Sequence, residues 1–154
     1  MAAWVDTLCE KEDFENSKKR HITSLNQQIT DALKRELDTC IAAYNKKHPQ
    51  QQAVTAINAI SNGFELTVRM TTTNPSRKLT ITFPLNDRKL GASGTHLSNG
   101  GLTYLIDPEV RDERFVASVE AVFFLRGARK HRVPELVEEL VAPFLFPEFA
   151  REPE

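Results

Sequence analysis

Cysteine is scarce in this 154-residue sequence, and its two cysteines, Cys9 and Cys40, lack the spacing of a zinc site. If a helix begins near Glu15, Cys40 lies about 37 Å along it, whereas the segment back to Cys9 reaches only about 20 Å. A disulfide needs Cα atoms within about 7 Å of each other, so this helix assignment argues against an intrachain bridge. We expect reduced thiols, with Cys40 facing the core.

The sequence also lacks long apolar runs and an excess of charge of either sign. No apolar stretch approaches the roughly 20 residues that cross a bilayer, and residues 1–15 lack the cationic start and apolar core of a signal peptide. The net charge is −1, so the chain as a whole has no electrostatic preference for nucleic acid or for a membrane surface. We therefore expect a cytoplasmic protein without membrane contact, in which any anion site is local.

Recognisable motifs of metal and cofactor sites are absent as well. No histidine, cysteine or carboxylate pair has a metal-ligand spacing such as HExxH, and no nucleophile elbow or other triad signature occurs. The sequence therefore predicts neither a metal nor a cofactor. A hydrophobic content of 40% over 154 residues suits one folded domain. We expect a single α+β domain over residues 1–154, with residues 1–13 and 147–154 as loose termini.

The most regular apolar pattern predicts one long helix over residues 16–45. Apolar residues recur at every third or fourth position, which places them on one stripe of a helix. The stripe consists of Ile22, Leu25, Ile29, Leu33, Leu37, Cys40 and Tyr44. Such a helix would be about 42 Å long, so part of it is expected to pack either across a wide sheet or against a second copy of the chain.

From Gln52 onward the apolar residues alternate, which predicts antiparallel strands with one buried face and one solvent-exposed face. The first two strands are joined through Asn62-Gly63, a dipeptide that favours a tight hairpin turn. Further strands are predicted over residues 79–85 and 102–106. The pattern indicates an antiparallel meander.

The last third of the chain predicts helices that close the fold. Asp107 and Pro108 are typical of a helix start, and residues 115–125 fit either a helix or a strand, with the helix preferred. A last helix is predicted over residues 134–142, where Pro143 ends or kinks it. The expected fold class is α+β, with the long N-terminal helix packed on an antiparallel sheet of about four strands and with C-terminal helices.

Residues 90–101 contain four of the six glycines, which raises the question of a phosphate-binding loop. Their spacing matches neither the P-loop nor the dinucleotide motif, and a strand follows them, so we interpret the stretch as a connection between strands. A functional loop is the alternative interpretation. We predict no catalytic residue. The lone histidine of this stretch, His96, is the candidate catalytic residue only as an alternative, because no triad signature accompanies it and a solvated side chain is the expected role.

A basic cluster over residues 126–132 is the best local anion site that the sequence offers. Its candidate residues are Arg126, Arg129, Lys130 and Arg132. Lysine and arginine contacts to phosphate release counterions, so the cluster would suit nucleic acid or another phosphoanion. No aromatic residues are interleaved with these cations, which argues against stacking of single-stranded bases. Because lysine and arginine at turns usually form solvated surface, that is the preferred interpretation of the cluster, and the anion site is the alternative.

The C-terminal tail carries Phe144, Phe146 and Phe149 among prolines, and these rings either fold back over the core or form an interface. The leading functional hypothesis is a non-enzymatic interaction module that binds a protein partner or a second copy of itself, through the long helix or through this tail. One alternative is nucleic-acid or phosphoanion binding by residues 126–132. The other is a small-ligand carrier or enzyme with a pocket between helix and sheet.

Overall fold

The computed structural model describes residues 2–50, 52–61, 63–71, 77–84, 87–94, 96–97 and 101–151. Within this part of the chain there are three α-helices: α1 (Ala3–Ser24) and α2 (Asn26–Lys47) precede the strands, and α3 (Val133–Leu145) follows them. The strands are β1 (Ala53–Ile60), β2 (Gly63–Met70), β3 (Lys78–Pro84), β4 (Lys89–Gly94), β5 (Leu102–Pro108), β6 (Val110–Arg111), β7 (Arg114–Phe115), β8 (Val122–Arg126) and β9 (Arg129–His131).

Seven of the described strands form one antiparallel sheet in the order β1-β2-β3-β4-β5-β8-β9, and β6 pairs with β7 in a separate hairpin. The predicted α+β class with an antiparallel sheet is confirmed, but the expected count of about four strands is too low. The additional strands are β4, which contains the start of the glycine-rich stretch, and the β8–β9 hairpin. Asn62 of the predicted turn lies outside the described residues. Gly63, the other predicted turn residue, is the first residue of β2 and pairs with Ile60, so it lies in the strand and not in the turn.

Residues 115–125, for which the sequence favoured a helix, are extended around a short 3-10 turn at Val119–Ala121. Phe124 of β8 pairs with Ile106 of β5, and both side chains are buried. The apolar residues of this segment fit both a helical and a strand periodicity, so the sequence pattern alone does not choose. The unpaired edge of β5 makes the strand the favoured conformation. Pairing with that edge satisfies the backbone groups of the segment and buries its alternate side chains.

The predicted helix over residues 16–45 is divided at Leu25 and begins earlier than expected. The hydroxyl of Ser24 donates a hydrogen bond to the carbonyl of His21 at 2.5 Å, and such local bonds compete with regular helical bonding. α1 starts at Ala3, so residues 3–13, which we expected to be loose, are helical with exposed side chains. The apolar stripe therefore lies mainly on α2.

α2 and α3 pack against each other and against one face of the main sheet. Alternate residues of the strands face these helices and are buried, among them Val68, Ile81 and Tyr104. Core side chains therefore fill the space between helix and sheet, where the third functional hypothesis places a ligand pocket. α3 continues through Pro143 to Leu145 instead of ending at residue 142.

The structure shows the state of both cysteines and the apolar character of the described helices. Cys9 is exposed, Cys40 is half-buried, and both are free. Burial, together with Glu36 and Glu138, raises the pKa of the Cys40 thiol. No described helix is both long enough and apolar enough to cross a bilayer.

Candidate interaction surface

The two edges of the main sheet differ in length and charge. β9 forms one edge and has three residues, all of them basic, whereas β1 forms the other edge and has eight residues without a single charge. Short, charged edge strands resist pairing with strands of other molecules, and long, uncharged ones do not. β1 is therefore the edge of this sheet that is open to a further strand.

The register of β1 against β2 shows which backbone groups lie at this edge. Just beyond the strand, the amide of Thr71 donates to the carbonyl of Gln52 at 3.0 Å. In an antiparallel pair, alternate residues direct both N–H and C=O to the same neighbour. Even-numbered residues of β1 therefore bond to β2, and the odd-numbered residues direct their backbone groups outward. The outward-facing residues are Ala53, Thr55, Ile57 and Ala59.

The side chain of Asn45 occupies the outward groups at one end of β1. The amide of Ala53 donates to Asn45 Oδ1 at 2.8 Å, and Asn45 Nδ2 donates to the carbonyl of Ala53 at 2.9 Å. Asn45 thus replaces a neighbouring strand at this residue, which also confirms the outward direction of the odd-numbered backbone groups. Within the described part of the chain, the outward groups of Thr55, Ile57 and Ala59 have no comparable partner.

Apolar side chains accompany these backbone groups on both faces of β1. Val54, Ile57 and Ile60 are 47%, 43% and 37% exposed. Ile57 lies on the α2 side of the sheet because Thr55, on the same face, donates from its hydroxyl to Asp38 of α2 at 2.6 Å. Val54 and Ile60 lie on the opposite face. The edge therefore combines outward backbone groups with exposed apolar surface.

The contact between Thr55 and Asp38 also fixes the position of β1 against α2. Lys34 Nζ lies 2.6 Å from Asp38 Oδ2 on the next turn of the helix. Burial opposes ionisation of Asp38, but hydrogen bonds from Lys34 and Thr55 outweigh it and hold its pKa below the usual value. These contacts therefore hold the edge strand in place against α2.

The structure separates the four cations predicted to bind an anion. Arg126 and Arg129 face α3, where their guanidinium nitrogens lie 3.9 and 3.0 Å from Glu139 Oε1. Lys130 and Arg132 instead lie over the ring of Phe123, at 4.0 and 4.7 Å from its centroid. The cations therefore do not converge on one site, and a carboxylate already neutralises part of their charge.

Glu139 is the centre of a polar cluster that the sequence did not indicate. Its side chain is 11% exposed, accepts a hydrogen bond from the Tyr104 hydroxyl at 2.5 Å and lies 3.1 Å from His131 Nε2. Burial opposes its ionisation, but the Tyr104 hydrogen bond and the neighbouring His131 and arginines outweigh it and lower its pKa. Burial and the Glu139 carboxylate raise the pKa of Tyr104, so its phenol is a hydrogen-bond donor and not a base. This arrangement holds β9 and β5 to α3.

His96, the candidate catalytic residue, is bound to α3. Its Nε2 donates to the carbonyl of Leu140 at 3.2 Å, and its ring packs edge-on against Phe144 at 5.5 Å between centroids. The ring lines a surface cleft of about 530 Å³ together with Phe149 and neighbouring tail residues. In the described residues, no group of histidine, cysteine and carboxylate side chains is arranged to hold a metal ion. These contacts favour a packing role for His96.

Among the described glycines of residues 90–101, the structure gives a backbone reason for Gly101 but none for Gly91, where a Cβ would meet no atom within 4 Å. Residues 95 and 98–100 lie outside the described range. Gly101 has φ +137°, and a Cβ there would approach the carbonyl oxygen of Ala92 to 2.8 Å. Close approach of the Gly101 and Ala92 backbones therefore explains this glycine.

The three phenylalanines predicted as an interface have different environments. Phe144 is fully buried in the core and is not at the surface. Phe146 is partly exposed and packs edge-on against Tyr44 at 5.5 Å, beside an apolar groove of about 530 Å³ between α2 and α3. Phe149 is 87% exposed. Only Phe146 and Phe149 of this set can contribute to an interface.

No protein-family model, curated protein or solved structure matches this chain. A functional inference therefore depends on the geometry of the described residues. The sequence analysis did not identify β1 as a site. Its eight residues carry no charge, whereas 27% of the residues of the whole chain are charged. That run is the signal that could have identified the edge.

Proposed function

We propose that this chain is a non-enzymatic interaction module that self-associates by strand pairing at the β1 edge. The observation that carries the proposal is the coincidence of outward backbone groups at Thr55, Ile57 and Ala59 with exposed apolar side chains on the same strand. Strand addition uses these two features, since backbone hydrogen bonds provide affinity and side-chain contacts provide specificity.

The small size of this edge sets the expected strength of association. An interface of one strand pair is at the low end of specific interfaces in area. We therefore expect a reversible dimer that forms in the micromolar range.

Replacing Ile57 with lysine is expected to abolish the dimer, because the ammonium group would place charge at the centre of the edge. Size-exclusion chromatography with light scattering, from about 1 to about 200 µM, measures the mass at each concentration. The wild type should rise from the 17.4 kDa of one chain towards twice that mass. Ile57→Lys should remain at the mass of one chain throughout.

The matched control is Val110→Lys, which places the same charge at a β-branched residue of the separate β6–β7 hairpin that is 45% exposed. This variant should dimerise like the wild type. A wild type that stays monomeric at all concentrations contradicts the proposal. So does a dimer that survives Ile57→Lys but is lost in Phe149→Ser, which would assign the interface to the tail.

A further inference from the structure

The geometry points to one register for this association, in which β1 of each copy pairs antiparallel with β1 of the other and Ile57 lies on the two-fold axis. The inference rests on the proposed function and specifies its partner strand residue by residue. Two independent features of the edge, its free length and its order of side chains, select the same register.

The first feature is the length of edge that is available for pairing. Asn45 occupies the backbone groups of Ala53, and the turn towards β2 begins at Ser61. The free window therefore runs from Thr55 to Ala59, and Ile57 is its centre. A two-fold axis through Ile57 uses every outward group in the window, with Thr55 opposite Ala59 of the second copy, and forms about six hydrogen bonds.

The second feature is the order of side chains along β1. With Ile57 on the axis, Val54 lies opposite Ile60 of the second copy, and Ile57 lies opposite itself. Each of the three exposed apolar side chains of one copy therefore lies opposite an apolar side chain of the second copy. Such cross-strand pairs stabilise a sheet. Ala56 lies opposite Asn58, and the small Ala59 faces the Thr55 that is bound to Asp38.

Neighbouring registers lose both features. The two strands can slide past each other and keep the same side chains on the same face of the sheet only if each residue's partner shifts by an even number of positions. The smallest such shift is two residues. In one direction Val54 moves opposite Asn58, and Ala53, already held by Asn45, would have to pair. In the other direction Ile60 moves opposite Ala56, and the turn residue Ser61 enters the window. The register centred on Ile57 is favoured over both.

Disulfide trapping tests this register directly, in a background where Cys9→Ser and Cys40→Ala remove the natural thiols. Val54 and Ile60 of the second copy would form a pair with Cα atoms about 4.5 Å apart, within the range of a disulfide. Val54→Cys and Ile60→Cys should therefore cross-link on oxidation when the two variants are mixed. Either variant alone should not cross-link, because its cysteine would lie about 20 Å along the strand from the same cysteine in the second copy.

Two further variants report the shifted registers. Ala56→Cys would cross-link with itself if Val54 lay opposite Asn58, and Asn58→Cys would do so if Ile60 lay opposite Ala56. Self-linking of either one, or a dimer in which Val54→Cys and Ile60→Cys fail to link, overturns the register. If the dimer is lost in Ile57→Lys while one of these results is obtained, the proposed function stands and only the register is wrong. Absence of any dimer contradicts both.

Discussion

Replacing Glu139 with glutamine is expected to lower the free energy of unfolding by about 2–4 kcal/mol. The substitution preserves the shape of the side chain but removes the negative charge that Arg126, Arg129 and His131 face. Since Glu139 is almost buried, those cations cannot recover the lost interaction fully from water. Urea unfolding at neutral pH measures the loss, and Glu138→Gln, at the exposed neighbouring residue of α3, should stay within about 0.5 kcal/mol of the wild type.

The pH dependence of this difference separates the charge of Glu139 from its packing. The pKa of Glu139 is lowered in the folded state, so its contribution is present above the usual value of 4.5 and is lost as pH falls through the lowered pKa. The wild type then carries a neutral side chain, as Glu139→Gln does at every pH. The difference between the two proteins should therefore narrow as pH falls, and a difference that is constant with pH would contradict this account.

Replacing Arg88 with methionine is expected to cost about 2–3 kcal/mol and to loosen α1. The buried guanidinium of Arg88 donates to the carbonyl of Ile106 at 3.1 Å and to Asp107 at 2.9 Å, and it also binds Glu15 of α1. Methionine fills a similar volume but leaves these acceptors without their donor. Lys18 remains 3.2 Å from Asp107 and limits the loss.

Amide exchange measured alongside urea unfolding checks both parts of the Arg88 prediction. The amides of α1 around Glu15 should exchange faster in Arg88→Met, while those of α2 should change little. Lys89→Met is the matched control, because Lys89 is the next residue along the chain and is exposed. Equal effects of the two substitutions on α1 would show that Arg88 does not anchor this helix.

The sequence correctly predicted the segments whose apolar residues fit only one periodicity, either that of a helix or that of a strand. The alternation in β2 and β3 and the stripe on α2 are of this kind, because each buries one face against a continuous core. The strand β8 was missed because Val119 and Phe123 fit a helical face as well as an alternation, and only the edge of β5 resolves the choice. The break at Leu25 was missed because neither proline nor glycine marks it.

The surfaces were less predictable than the fold because they depend on residues that are distant in the sequence. Arg129 and Tyr104 meet Glu139 only after β5, β9 and α3 have assembled. The sequence therefore shows the cations of the basic cluster but not the carboxylate that two of them face. The lack of charge in residues 53–60 is visible in the sequence, but its consequence is not. Only the strand order shows that β1 lies at an edge, and only Asn45 shows where the free window begins.

Hydrogen exchange of single backbone amides in β1, followed by NMR between about 20 and about 500 µM, tests self-pairing at this edge most directly. The amides of Val54, Ala56 and Asn58 bond to β2 and should be protected at every concentration. The amides of Thr55, Ile57 and Ala59 should become protected only as the concentration rises and the dimer forms. An Ile57 amide that exchanges at the same unprotected rate across the whole range would contradict the account.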